Sequence, residues 1–208
     1  MKRVLYLILS VLFMSSCGDG NVLIQEDPSI QKAIDIDLIE DYLADKGYND
    51  FDTTLSGVRY IILDQGSGQA IDESDHVEFH YTGFTLSDTI FDTSIKEVGD
   101  SLKAHYTENP IIIDGKGFTV FGNISYTPTK ITYSKSGWTL PKATSTTPGF
   151  IPGYVDGIVA TFKHLNVGGS SLILIPSNLA YGQNGEGYFI APNTPIAFEL
   201  YPIKVTKQ

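Results

Sequence analysis

Chemistry that relies on a metal or an activated nucleophile finds little to use in this chain. Cys17 is the only cysteine, and His76, His80, His105 and His164 show no ligand spacing for tetrahedral zinc. No metal site and no cofactor are implied. His80 is an acid–base candidate, but a strand histidine with no partner in sequence reads as structural. What the chain offers instead is aromatic and apolar side chains set among glycines, concentrated in residues 150–200, FIPGYVDGIVATFKHLNVGGSSLILIPSNLAYGQNGEGYFIAPNTPIAFEL. Taken singly, Tyr81, Phe91, Ile151 and Phe198 read as core residues. Asp92 reads as a turn cap, and Tyr181 beside Gly182 as a turn aromatic.

The elements that would carry these residues follow from spacing. Ile158, Val159, Phe162 and Leu165 recur at helical spacing, which predicts a helix over 154–166 stopped by Gly168-Gly169. Residues 170–175 are β-branched and apolar and predict a buried strand. Gly182, Gly185 and Gly187 mark a loop. Pro192 and Pro195 lead into a strand over 196–205, with Pro202 near an edge or bulge. Upstream, residues 28–46 predict a helix with Pro28 and Ser29 at its start and Gly47 at its end. Ile34, Leu38, Tyr42 and Leu43 would form its buried face, with Asp35, Asp37, Glu40, Asp41 and Asp45 on the rest of its surface. Residues 56–63 predict a strand. Residues 76–83 alternate at period two, with one buried and one wet face. Residues 84–91 continue as a strand, with a turn near Ser87-Asp88.

The chain has 208 residues, 42% of them hydrophobic, enough for one domain with a real core behind a leader and a helical segment at 28–55. Lys2 and Arg3, then an apolar run over 4–13, form a secretory signal too short to span a bilayer. Met14-Ser15-Ser16-Cys17 resembles the bacterial lipobox, which implies cleavage after residue 16 and lipidation of Cys17. Residues 17–27 would then be a lipidated tether to a membrane surface, outside the cytoplasm in the cell envelope. Formal charge is −10, and loss of residues 1–16 leaves 12 basic against 24 acidic residues, or −12. That balance argues against a nucleic-acid partner.

Several segments occur together in an order that resembles FKBP-type peptidyl-prolyl isomerases. They are SGVRYIILDQGSG at 56–68, VEFHYTG at 77–83, FDTS at 91–94, FIPGY at 150–154, NVGG at 166–169 and IPSNLAYG at 175–182. The resemblance covers 56–95 and 150–206, and 109–117 more weakly. It implies an α+β fold over 56–208, an antiparallel curled sheet of five to six strands wrapped around one short helix. It also implies a pocket lined by Tyr81, Phe91, Phe150, Ile151, Tyr154, Ile190 and Phe198. Ile151 would offer its backbone N–H to a substrate carbonyl, Tyr181 its hydroxyl to another, and Asp92 a carboxylate near a twisting amide. The implied activity is prolyl cis–trans isomerisation of exported, proline-containing polypeptides, and the family's macrolides are an implied ligand. A binding module with little activity, or a structural envelope lipoprotein, is the alternative.

The chain departs from the family pattern in three ways. Tyr154 stands where the family usually carries Trp, and its hydroxyl wants a partner if buried. Residues 157–167 hold about four residues more than the usual helix, roughly one extra turn. About thirty additional residues separate Gly117 from Gly149, and about ten more lie between Ser94 and Asn109. Within 118–148, Phe118 and Val120, Ile124 and Tyr126, Ile131 and Tyr133, and Trp138 and Leu140 alternate between turn residues, predicting β-hairpins. No Asp or Glu occurs over 115–155, but Lys116, Lys130, Lys135 and Lys142 do. This cationic, β-rich insertion reads as a solvated hairpin or, standing beside the pocket rim, as one that shapes access or recruits a partner segment.

Overall fold

The structure is a computed structural model that describes residues 28–113, 116–118, 121, 124–134, 137–139 and 151–208. The leader, Cys17, the tether, Phe150, Lys135 and Lys142 lie outside the described residues. In chain order the elements are α1 (Pro28–Asp45), β1 (Asp52–Thr53), β2 (Arg59–Asp64), β3 (His76–Thr85), β4 (Ile90–Thr93) and α2 (Lys96–Glu108). There follow β5 (Ile111–Ile113), β6 (Lys116–Phe118), β7 (Thr129–Ser134), β8 (Gly137–Thr139), α3 (Pro152–Phe162), β9 (Ser170–Ile175) and β10 (Ile196–Thr206).

One antiparallel sheet runs β1-β2-β9-β10-β3-β7-β8, with β4 sharing the edge of β3 beside β7. The predicted strand at 170–175 forms between β2 and β10. Its residues are apolar without alternation because both faces are covered. Ile173 and Ile175 join the cluster under α3, whereas Leu172 and Leu174 join a second cluster with Ile39 and Leu43 of α1. The proline in β10 lies in a central strand, and the register shifts between Pro202 and Lys204, a bulge. The hairpin expected within 118–148 is present as β7–β8, carried on β3 with Ile131 fully buried. Lys130 of this hairpin faces Glu78 at 3.4 Å.

Three expectations are corrected. First, α1 buries Asp35, Ile39 and Leu43, one row at i, i+4 and i+8, while Ile34 and Leu38 are each 46% exposed. Asp35 is therefore not on the wet face. The helix carries two adjacent apolar rows, and a polar contact selects between them. The Asp35 carboxylate accepts from the Ser177 backbone N–H at 2.8 Å and from its hydroxyl at 2.6 Å, and takes Gln31 Nε2 at 2.7 Å. The stop at Gly47 is as expected: its φ is +79°, and the Tyr48 N–H reaches back to the Leu43 carbonyl at 2.8 Å.

Second, α3 ends at Phe162 rather than 166. The chain beyond it is claimed by the loop after β2. Asn166 N–H donates to the Gln65 carbonyl, Val167 N–H to that of Gln69, and Asn166 Nδ2 to that of Gly66. Leu165 stays buried, but Val159 turns 36% outward. Third, residues 95–109 had no predicted element, yet they form α2. Its only apolar row is Val98, Leu102 and Tyr106, each half-buried, too sparse a signal to read without its neighbours.

α3 lies close on the sheet because its inner row is glycine. A Cβ at Gly153 would stand 2.2 Å from Ile175 Cγ2, and one at Gly157 would stand 2.7 Å from Ile173 Cδ1. That approach seats α3 on β9 and lets Tyr154 reach Phe198 near the start of β10 and Tyr81 of β3.

Candidate functional site

Five segments converge at the start of α3. β3 supplies Tyr81, β4 supplies Phe91 and Asp92, and β10 supplies Phe198. The residues opening α3 supply Ile151 and Tyr154, and the loop before β10 supplies Tyr181 and Ile190. All the apolar members among them belong to one cluster. Phe198 is its hub. Its ring centroid lies 4.6 Å from Tyr154, 5.5 Å from Phe91 and 6.1 Å from Tyr81, mostly edge to face. Tyr81 and Tyr154 stand 6.2 Å apart. The described residues that the sequence singled out for the pocket thus lie in or beside one aromatic cluster.

Local folding explains the placement. Ile151 is the extended residue before α3, with Pro152 in the first turn. Tyr154 follows one turn in, on the buried side. Ile190 is held by a tight loop in which Glu186 and Ile190 exchange backbone hydrogen bonds around Gly187 at φ +56°. Gly185 nearby has no room for a Cβ, which would lie 2.2 Å from the Ile190 carbonyl oxygen. Tyr181 comes from the short turns after β9, and the first of these is the one Asp35 grips at Ser177.

One end of the cluster is polar. Tyr81 donates its hydroxyl to Asp92 Oδ2 at 2.9 Å. Burial pushes the Asp92 carboxyl above its ordinary range, opposed by that hydrogen bond and by the Thr93 backbone. Burial, with Asp92 as the next cause, raises the Tyr81 phenol. Burial raises Tyr154 as well, and pushes Tyr181 up to about 12. All three tyrosines are therefore neutral donors at physiological pH. The Tyr154 hydroxyl is buried and has no hydrogen-bond partner among the described residues.

The sequence reading missed four contributors. Gly83 lets Phe91 and Phe198 meet, since a Cβ there would stand 2.6 Å from Phe198 Cε1 and 2.8 Å from Phe91 Cε2. Asp35 and Ser177 brace the turn leading to Tyr181. Ser94 accepts the Tyr81 backbone N–H at 3.0 Å and meets His80 Nδ1 at 2.9 Å, which gives His80 a structural partner. His80 also sits one strand position from Tyr81, hence on the opposite face. Last, Tyr106 of α2, Phe121 and Phe189 stack at 5.6–5.7 Å, and Phe189 packs on the pocket cluster. Of these, Gly83 in VEFHYTG, Ser94 in FDTS and Ser177 in IPSNLAYG lie within motifs the sequence carried.

The site is thus an aromatic cluster between one short helix and an antiparallel sheet, with an Asp–Tyr pair at its edge. Residues 130–201 match the family model for FKBP-type peptidyl-prolyl cis-trans isomerases. A probable FKBP-type isomerase, FkpA, of Neisseria meningitidis is 27% identical over 153 residues, 74% of this chain and 39% of the relative. The FKBP-type 22 kDa isomerase of Escherichia coli is 24% identical, over 74% of this chain and 52% of the relative. The outer membrane protein MIP of Legionella longbeachae is 25% identical, over 73% of this chain and 46% of the relative. The chain thus spans about half or less of the length of these relatives. A solved isomerase from Pseudomonas syringae pv. tomato aligns with a TM-score of 0.48 at 19% identity, covering 88% of this chain and 98% of that one. By these matches the chain is similar to FKBP-type isomerases.

Proposed function

We propose that this chain is a peptidyl-prolyl cis–trans isomerase acting on proline-containing polypeptides. Rotation about an X–Pro bond crosses a barrier of ~18–20 kcal/mol set by amide resonance. Lowering it needs no nucleophile and no metal. An apolar wall disfavours the dipolar planar amide, and fixed donors then favour the twisted one. Tyr81, Phe91, Tyr154, Ile190 and Phe198 hold the proline ring, with Phe150 as a further wall residue. The Ile151 N–H and the Tyr181 hydroxyl bind substrate carbonyls, and Asp92 faces the twisting amide. The observation that carries this reading is the aromatic cluster around Phe198 with Asp92, Tyr81 and Tyr181 at one end. The test is isomerisation of a short X–Pro peptide by the full chain in mild detergent. Acceleration that drops about tenfold or more in Tyr181→Phe and Asp92→Ala supports it; background rates from folded wild type reject it.

A second reading is a client-holding module with little catalysis. The aromatic shelf of Tyr106, Phe121 and Phe189, with Tyr188 62% exposed at its end, favours it. Peptide binding without rate acceleration would select that reading.

We further propose a membrane-anchored place in the cell envelope, held through lipidated Cys17. The leader over 1–16 supports it, as does a relative named as an outer membrane protein. Among the described residues no helix is long and apolar enough to cross a membrane. Macrolides of the kind the family binds would enter the same pocket.

A further inference from the structure

A groove of about 410 Å³ lies between the C-terminal half of α1, the turn after β3 and the loop that leads into β10. Its apolar lining is Leu38 and Tyr42 of α1, Leu86 of the turn and Pro195 of the loop. Leu38 is 46% exposed, and the apolar row continues outward along the helix through Ile34 and Ile30. Asp41 and Asp45 line the groove on the α1 side, and no lysine or arginine lines it among the described residues. Neither carboxylate has an ion pair or hydrogen bond among the described residues. Lys46, the next residue along, is given to Asp88 at 2.6 Å and lies over the Tyr42 ring. These carboxylates oppose their own helix twice. Asp37, Asp41 and Asp45 follow at i, i+4 and i+8, so like charges face one another a turn apart. Asp45 is also the last residue of α1, Asp41 stands one turn before it, and the last turn holds no basic residue. Both therefore face the negative end of the helix dipole. A cation held in the groove relieves both effects.

We propose that this groove docks a lysine or arginine side chain of a polypeptide segment, at a site separate from the aromatic cluster. An apolar lining with an acidic edge matches those two side chains, whose methylene stems cover apolar surface while the charged head stays in water. The stem lies along Leu38, Tyr42, Leu86 and Pro195, and the head reaches Asp41 and Asp45. A purely apolar occupant would strip water from the carboxylates and return nothing to them. The helix α1 of a second copy would set the three aspartates against their own kind, and an anionic lipid surface is repelled for the same reason. The charge on the groove thus selects a basic segment over the other occupants of an apolar surface. The inference stands without the isomerase reading.

The test is fluorescence anisotropy of a labelled peptide, Ala-Lys-Leu-Arg-Ala, titrated with the full chain in mild detergent. Wild type should bind it and leave Ala-Glu-Leu-Glu-Ala free. Asp41→Asn combined with Asp45→Asn should weaken binding about 3–30-fold, the loss expected for two exposed ion pairs. Leu38→Ala should weaken it about 2–5-fold through lost contact with the stem. The double Asn variant should melt at the same temperature as wild type or higher, because it relieves the helix. Lost binding is then not lost folding. Glu97→Gln combined with Glu108→Gln removes the same charge from exposed positions on α2 and should change binding by less than about twofold, since distant exposed charges are screened. No binding by wild type, or unchanged binding by the double Asn variant, overturns the proposal. Equal weakening by the two double variants overturns it as well, because only net charge would then be at work. A lower melting temperature of the double Asn variant reveals structural partners for the aspartates and also overturns it. Sedimentation of the same samples covers the remaining occupant: a dimer that Leu38→Ala dissolves puts a second copy in the groove and rejects the basic segment.

Discussion

Replacing Asp35 with alanine removes three hydrogen bonds at the point where α1 grips the rest of the domain. The carboxylate is fully buried, and Ser177, 142 residues away, is 1% exposed. Gln31 is part-buried on the same helix and can turn to water, so its loss is small. The Ser177 N–H and hydroxyl cannot. Each buried donor left unpaired costs about 1–3 kcal/mol, so Asp35→Ala should cost about 2–6 kcal/mol. That is a large share of the roughly 5–15 kcal/mol that holds an ordinary domain together. Urea unfolding followed by far-ultraviolet circular dichroism gives the number, read from the midpoint at constant slope. Asp37→Ala, on the exposed side of the same helix, is the control and should stay within about 0.5 kcal/mol. Ser177→Ala combined with Asp35→Ala should cost less than the two separately, by about 1 kcal/mol or more, because the groups share one interaction. If Asp35→Ala costs no more than Asp37→Ala, α1 is a loosely attached spacer and the account of its docking is wrong.

Two further outcomes follow from the site and the leader. Burial raises the folded-state pKa of Asp92, so the folded chain binds its proton more tightly than the unfolded chain does. Its contribution to stability is present below the usual carboxylate range and is lost as pH rises through the raised pKa. Asp92→Asn can still accept from Tyr81 and removes that loss. The melting temperature of the variant minus that of wild type should therefore climb across this window and then level off; a flat or falling difference contradicts the assignment. For the anchor, Cys17→Ala should move the protein from the membrane pellet to the soluble fraction, since each buried acyl methylene contributes about 0.8 kcal/mol. Unchanged pelleting would exclude Cys17 as the attachment point.

The sequence by itself determined the parts whose causes are local. Period-two alternation announced β3, an unbroken apolar run announced β9, and Pro202 announced the bulge in β10. Gly47 announced the end of α1, and the ordered motifs named most residues of the aromatic cluster before any coordinate. The tertiary structure alone decided what depends on a distant partner. Ile34–Leu38 and Ile39–Leu43 are equally good apolar rows on α1, and only the two donors of Ser177 select the row that carries Asp35 inward. The helix α3 could have run to 166, but His164 and Leu165 close on Thr161 and Phe162 in a tighter turn, and carbonyls in the loop after β2 then take the Asn166 and Val167 N–H groups. α2 has one thin apolar row, so its existence depends on what packs against it. The Tyr154 hydroxyl followed the same rule. The sequence showed that it would want a partner, and only the packing of Phe198, Tyr81 and α3 left it buried without one among the described residues. Local propensity and spacing are written along the chain, whereas the pairing of a buried polar atom is a property of whatever the fold brings to it.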